Sequence, residues 1–344
     1  MSWKATRIFS IVLLCTWATT VFASQPFELD GVVVPAGEQK SFMLPAPAMG
    51  IPVTVINGNQ PGPVLTLTAG VHGDEFPSIL ALQSLRTRID AAELKGTLVL
   101  VHLANLPGFH ARRIALHPED DKNLNREFPG AADGTATEQL AFYLTRQVIP
   151  KTDYLIDLHS GSAYQALHHH VYSPVLYQEP LDEKTLAFAE ATGMQHIVLY
   201  DKRPKDLANT ISYPNTAQVR GKPALTVEVG HSGLRDDAFV EEIIAISTNA
   251  LKHLGMLAGK PTTKTKAIIY SHLESIASPA SGIFTPVAAI GQPVQPGDLL
   301  GTVSNYYGEP VAEIKATEAG TILMLRQWPA IAEGESPATL GIEK

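Results

Sequence analysis

Cysteine is nearly absent from this 344-residue chain: Cys15 is the only one, and it falls inside an N-terminal segment that reads as an export leader. A mature protein without cysteine has neither disulfides nor thiolate ligands, so any metal must be held by His, Asp and Glu. The leader reading rests on Lys4 and Arg7, an apolar run over 8–18, and small residues at Val21 and Ala23 that predict cleavage after Ala23. The run falls short of the roughly 20 residues of a spanning helix, so no stable membrane insertion is expected after cleavage. A lipoprotein reading through Cys15 is disfavoured by Leu14. The expected location is exported, periplasmic or secreted.

Basic charge is also scarce. Without the leader, 24 basic residues face 34 acidic ones, a formal balance of -10. No cationic excess is left to neutralise phosphates, which excludes nucleic acid as an expected partner. Internal repeats and low-complexity tracts are lacking too. About 320 residues exceed one ordinary core, which predicts a large domain with a smaller one.

What is there alternates. Short apolar runs at 52–56, 64–69, 98–103, 154–158, 195–200 and 224–229 read as strands. Helical spacing appears over 78–89, 137–148, 183–192 and 237–257. Strands without polar alternation between amphipathic helices imply an α/β domain, a mainly parallel or mixed sheet flanked by helices on both faces. Its predicted extent is 24–260, after the leader at 1–23. The polar Gly259-Lys-Pro-Thr-Thr-Lys stretch reads as a linker. Beyond it, 261–344 reads as a small all-β domain with strands at 267–270, 282–285, 299–303, 311–314 and 320–325.

The strongest local signal is Gly70-Val-His72-Gly73-Asp74-Glu75, where a strand gives way to a helix. Sites in open α/β sheets form at the carboxyl ends of strands, and Gly73 allows the tight backbone that turns His72 and Glu75 inward. Catalytic zinc needs a third protein ligand and an open position. His159, closing the strand of Ile156-Asp-Leu-His159-Ser-Gly161, supplies it. Asp157 suits either an orienting partner for an imidazole or a cap at the strand end. Three adjacent imidazoles at 168–170 point alternately along a strand and do not suit one metal.

Glu228 lies inside an otherwise apolar strand, where an unpaired charge is expensive. It is the candidate general base, with half of a buried ion pair as the structural alternative. In Asn123-Leu-Asn125-Arg126-Glu-Phe-Pro-Gly130, Arg126 is suited to grip a carboxylate and Asn125 to add a directed hydrogen bond. An acidic or carboxyl-terminated substrate follows. Arg112, in preference to Arg113, is the candidate for polarising the scissile carbonyl.

Gly70-Val-His-Gly-Asp-Glu75, Asn123-Leu-Asn-Arg-Glu-Phe-Pro-Gly130, Asp157-Leu-His-Ser-Gly161 and Val227-Glu-Val-Gly230, in that order along the chain, resemble the motifs of the succinylglutamate desuccinylase and aspartoacylase family, a branch of the zinc carboxypeptidase-like hydrolases. The resemblance implies a carboxypeptidase-like α/β domain, one zinc per chain on His72, Glu75 and His159, and water attack on the amide of an N-acyl amino acid. It implies Glu228 as base, Asn125 and Arg126 on the substrate carboxylate, Arg112 at the carbonyl, and a small C-terminal β barrel partly covering the site. Asp74 stands where many relatives carry Asn, and the best-known members work inside the cell. The motifs stop at Gly233. In the C-terminal region Tyr306 and Tyr307 are candidates only as a glycine-flanked aromatic pair.

The competing expectations are an extracytoplasmic metallocarboxypeptidase acting on short or cell-wall peptides, and a binding protein that has lost turnover. The presence of all three ligands and Glu228 argues against the latter.

Overall fold

The computed structural model describes Met1, residues 24–263 and residues 266–344. The leader read at 2–23 and the linker residues 264–265 lie outside the described residues.

The apolar runs bounded by Gly and Pro become a central sheet. Strand Gln60–Ala69 pairs in parallel with Lys95–Val101 on one side and with Tyr154–His159 on the other, and Ala224–Glu228 continues the parallel set beside Tyr154–His159. These strands are apolar on both faces because both faces are covered. Helices Phe76–Arg88 and Asp237–His253 bury Ile79, Leu82, Leu85, Ile243 and Leu251 against one of them. Helices Ala136–Tyr143 and Tyr213–Gln218 bury Leu140 and Tyr213 against the other. At ~1.5–3 kcal/mol for each large apolar side chain taken from water, these two cores dominate the energy that holds the sheet between its helices. The sheet is mixed, as expected. His170–Pro174 runs antiparallel to Ala224–Glu228 and parallel to His196–Tyr200, while Ile51–Asn57 and the edge strand Glu38–Leu44 run antiparallel beyond Lys95–Val101.

Several elements differ from the sequence reading. Glu38–Leu44 was not expected, since an edge strand with one solvated side carries a polar sequence. The helix read over 137–148 is α-helical only to Tyr143; the next turn, Leu144–Val148, widens to a π turn ahead of Pro150, which cannot donate to a continuing helix. The last helix of the α/β region ends at His253, where Gly255 takes a φ of 67°.

The C-terminal region has its own core, formed by Phe284, Leu300, Val303, Ile314, Ile322 and Leu340. Not all of its strands form a sheet of their own. Ile268–Ile276 pairs in parallel with His196–Tyr200, and Ala338–Glu343, Gly320–Arg326 and Pro293–Val294 follow, so the central sheet runs on into this region. A second, four-stranded antiparallel sheet closes over that core. No helix among the described residues is long and apolar enough to cross a membrane.

Candidate active site

His159 and Glu228 are the last residues of adjacent parallel strands and stand opposite each other in register. Their side chains therefore share one face of the sheet at its carboxyl end. His72 and Glu75 come from the turn between strand Gln60–Ala69 and helix Phe76–Arg88. That turn is tight for two reasons. Gly70 adopts a φ of 65°, and a Cβ on Gly73 would lie 2.3 Å from the backbone nitrogen of Phe109, in helix Leu106–Ala111. Because the obstacle is backbone, Gly73→Ala must displace one of the two segments. The expected result is a lower Tm together with weaker metal binding; a variant that melts and loads metal like the parent would refute the close contact.

The three candidate ligands converge. Glu75 Oε1 lies 2.7 Å from His72 Nδ1, and Glu75 Oε2 lies 2.8 Å from His159 Nδ1. One donor atom from each of the three lies within 4.8 Å of the others, and Glu75 and His159 are buried. The outer ring nitrogens are engaged from behind: His72 Nε2 by Asn123 Oδ1 at 3.1 Å and His159 Nε2 by Asp157 Oδ2 at 2.8 Å. This is the arrangement metal-binding imidazoles need. The outer N–H is tied to an oxygen, which leaves the Nδ1 lone pairs facing the common centre. Two imidazoles and a carboxylate fit a divalent ion with an open position.

The charges agree. Burial raises the Glu75 carboxyl, but His72 and His159 outweigh it and hold it down to about 2. Burial lowers the His159 imidazole, yet Asp157 and Glu75 overcome this and raise it well above the ordinary histidine range. The cluster thus favours an imidazolium at His159 between Glu75 and Asp157, whose Nδ1 proton a bound metal cation would displace. Burial pushes Glu228 up to about 8, with Glu75 and Asp157 adding to the effect and His159 and Arg126 opposing it. No side-chain hydrogen bond ties Glu228 down among the described residues, and it faces the cavity. The ion-pair alternative for Glu228 has no partner there.

The cavity above the cluster measures about 420 Å³ and is lined by His72, Glu75, His159 and Glu228 together with Asn125 and Arg126. Asn125 is fixed from both ends: Tyr213 donates its backbone N–H to Oδ1 at 3.1 Å, and Nδ2 approaches His159 at 3.5 Å. The Arg126 guanidinium turns back on the Asn125 carbonyl at 2.8 Å and has no carboxylate partner among the described residues. Asp74 accepts from the backbone N–H groups of Ala115 at 3.2 Å and Ala163 at 3.3 Å, clamping two loops beside the site.

Arg112 is not brought to the cavity. It is the exposed residue that ends helix Leu106–Ala111, with a φ of 55°, and the turn that follows is held by Arg113 on Asp121 and does not fold it inward. Tyr306 and Tyr307 stand at the tip of a C-terminal hairpin, 81 % and 90 % exposed, away from the cavity. The three histidines at 168–170 go separate ways: His168 to His196, His169 to Glu242, and His170 to the His168 carbonyl.

Sequence reasoning missed Asn123 behind His72, and it missed the far wall. Tyr172, Tyr200 and Arg203 line the cavity, and Leu273, Ser275 and Met324 reach it from the C-terminal region. For Arg203 the signal was hidden, because Lys202-Arg-Pro-Lys reads as an ordinary solvated turn.

Comparison with known proteins agrees with this geometry. Residues 61–254 match the family model for the succinylglutamate desuccinylase/aspartoacylase catalytic domain. The chain is 31 % identical over 325 residues to the N-alpha-acetyl-L-2,4-diaminobutyric acid deacetylase of Halomonas elongata, covering 90 % of this chain and 91 % of that one. Among solved structures, the product-bound ectoine utilization protein EutE (DoeB) of Ruegeria pomeroyi superposes with a TM-score of 0.81 at 27 % identity, over 93 % of this chain and 99 % of that one. A succinylglutamate desuccinylase/aspartoacylase from Rhodobacter sphaeroides gives 0.79 at 26 %, over 89 % and 96 %. With the fold, the ordered motifs and a near full-length relative in agreement, this chain belongs to the succinylglutamate desuccinylase/aspartoacylase family of hydrolases.

Proposed function

We propose that this protein is an exported, zinc-dependent deacylase that hydrolyses the amide bond of an N-acyl amino acid. The observation that carries the reading is the convergence of His72, Glu75 and His159 beside an unpaired Glu228 in one cavity. His72, Glu75 and His159 would hold the divalent ion, which when bound would supply Lewis acidity for water activation and carbonyl polarisation. Glu228 takes the proton from the attacking water and passes it to the departing amine. Its raised pKa suits the second task, and a cation bound beside it would favour the carboxylate needed for the first. Arg126 and Asn125 hold the carboxylate of the amino acid, which fixes the amide over Glu228. The relative from Halomonas elongata, a deacetylase of an acetylated amino acid, supports an acylated amino acid over a peptide. Export rests on the leader read at 1–23.

The test is to produce the chain from residue 24, measure its metal, and follow amine release from N-acyl amino acids and dipeptides. About one zinc per chain with cleavage of acyl amino acids supports the proposal; cleavage of peptides alone favours a metallocarboxypeptidase. Recovery of full-length chain in the cytoplasm of the native host, with Met1 retained, would remove export from it.

A stability effect follows for the metal-free protein. Glu228 binds its proton more tightly in the folded chain than in the unfolded one, so its stabilising contribution is complete at low pH and is lost as pH rises through about 8. Glutamine cannot ionise. Metal-free Glu228→Gln is therefore expected to melt roughly 2–5 °C above the parent at pH 9, with the gap closing towards pH 5. Equal melting curves at pH 9 would mean that the carboxylate is not desolvated.

A further inference from the structure

Three buried polar atoms lie unmatched behind the candidate ligands. Asp157 meets His159 Nε2 with its Oδ2 at 2.8 Å, but its Oδ1 has no hydrogen-bond partner among the described residues, and neither has the hydroxyl of Thr68 or of Tyr213. All three residues are 0 % exposed. Buried groups left in this way are destabilising and rare in folded proteins, so each calls for a reason. The three belong together. Thr68 stands opposite Asp157 in parallel register, so their side chains share one face of the sheet. Leu155, two residues before Asp157 and therefore on that same face, packs in the core that also holds Tyr213, the first residue of helix Tyr213–Gln218. Burial pushes the Tyr213 phenol up, the Asp157 charge pushes it further, and the Thr68 hydroxyl opposes them. The phenol thus keeps its proton and is a donor, as the threonine hydroxyl is, whereas an ionised Oδ1 only accepts.

Tyr213 is tied to the other half of the site as well. Its backbone N–H donates to Asn125 Oδ1 at 3.1 Å, and Asn125 Nδ2 approaches His159 at 3.5 Å. The ring is held in place by Phe128, stacked on it with centroids 5.0 Å apart. We infer that Tyr213 is a positioning residue for the metal: its hydroxyl, with that of Thr68, serves Asp157 Oδ1, directly or across one buried water molecule, and so keeps Asp157 set against the outer nitrogen of His159. Three polar partners are enough to hold such a water. An imidazole whose outer N–H is gripped by an anchored carboxylate presents its inner lone pair to the ion at a fixed angle; when the anchor goes, the carboxylate and then the ligand gain freedom. The inference rests on the metal-dependent deacylase reading through its ligand set, and adds to it two residues that touch neither metal nor substrate.

The experiment measures zinc affinity, by competition with a chelator, for the parent, Tyr213→Phe, Thr68→Val, Asp157→Asn, and each of the first two combined with Asp157→Asn. Tyr213→Phe keeps the ring on Phe128 and the backbone N–H on Asn125, so only the hydroxyl is lost. It is expected to weaken zinc binding roughly 10- to 100-fold, and Thr68→Val by less. In the Asp157→Asn background the same changes should cost at most about threefold, because the charged oxygen they serve is gone. Zinc binding by Tyr213→Phe within about twofold of the parent overturns the inference. So does an equal loss in both backgrounds, which would make the hydroxyl a matter of packing alone. If Tyr213→Phe does not fold, the Thr68→Val pair decides by the same comparison: a loss confined to the Asp157 background supports the inference, and an equal or absent loss overturns it. Turnover of N-acetyl amino acids is followed on the same preparations. Tyr213-dependent zinc binding without turnover keeps the inference and sinks the deacylase reading, while turnover with zinc binding indifferent to Tyr213 does the reverse.

Discussion

Glu228→Gln is expected to lower kcat by about 10²–10⁴ while leaving the metal content of the protein unchanged. The substitution keeps the size and hydrogen-bonding outline of the side chain at the end of strand Ala224–Glu228, so the cavity keeps its shape. What it removes is the one carboxylate of the cavity outside the ligand set. Glu75 cannot replace it, because both of its oxygens face imidazole nitrogens. Asp157 cannot either, being fully buried behind His159. The decisive measurement is metal analysis and turnover on the same preparation. Retained zinc with retained turnover would mean that the proton moves through another group. Loss of both would make Glu228 a structural or ligating residue.

The second large effect is expected at His159. In His159→Ala one of the three proposed ligands is gone, and metal affinity should fall by more than the roughly 10–100-fold typical of changes behind a ligand. Stability should suffer independently of metal. Asp157 is 0 % exposed, its Oδ2 rests on His159 Nε2 at 2.8 Å, and its Oδ1 has no partner. Without the imidazole it becomes an uncompensated buried carboxylate, and breaking such a pair costs about 3–5 kcal/mol. Adding Asp157→Asn to His159→Ala removes the stranded charge. The double variant should therefore regain much of the lost Tm but none of the metal. Metal-free His159→Ala with an unchanged Tm would show that the pair carries no stabilisation, while recovery of metal by the double variant would exclude His159 as a ligand.

The sequence by itself picked out most of the residues that the structure gathers at the candidate site. Strand ends announced by glycine after apolar runs gave the positions of His72, Glu75 and His159, because in a covered α/β sheet polar residues at strand ends have few other reasons to be there. Glu228 was legible for the opposite reason: a carboxylate in an apolar strand is too expensive to be incidental. Asn125 and Arg126 were legible as a cation beside a directed amide in one compact motif. With Cys15 the one cysteine of the chain, in the segment read as a leader, the donor set was narrowed to His, Asp and Glu before any geometry was known.

Tertiary structure decided whatever depends on segments far apart in the chain. Register placed Glu228 opposite His159, and close approach of the segment carrying Phe109 made Gly73 obligatory as glycine. Parallel pairing of Ile268–Ile276 with His196–Tyr200 carried the sheet into the C-terminal region and brought Leu273, Ser275 and Met324 to the cavity. No local pattern announces such a pairing, since its two strands are joined only by a long crossover. The same limit explains the arginines. Arg112, close in sequence to the substrate motif, ends an exposed helix, whereas Arg203, in an unremarkable basic turn, faces the cavity. A charged side chain on a loop has no periodicity to betray its direction, so what it meets is set by the packing of the elements around it and not by its neighbours in the chain.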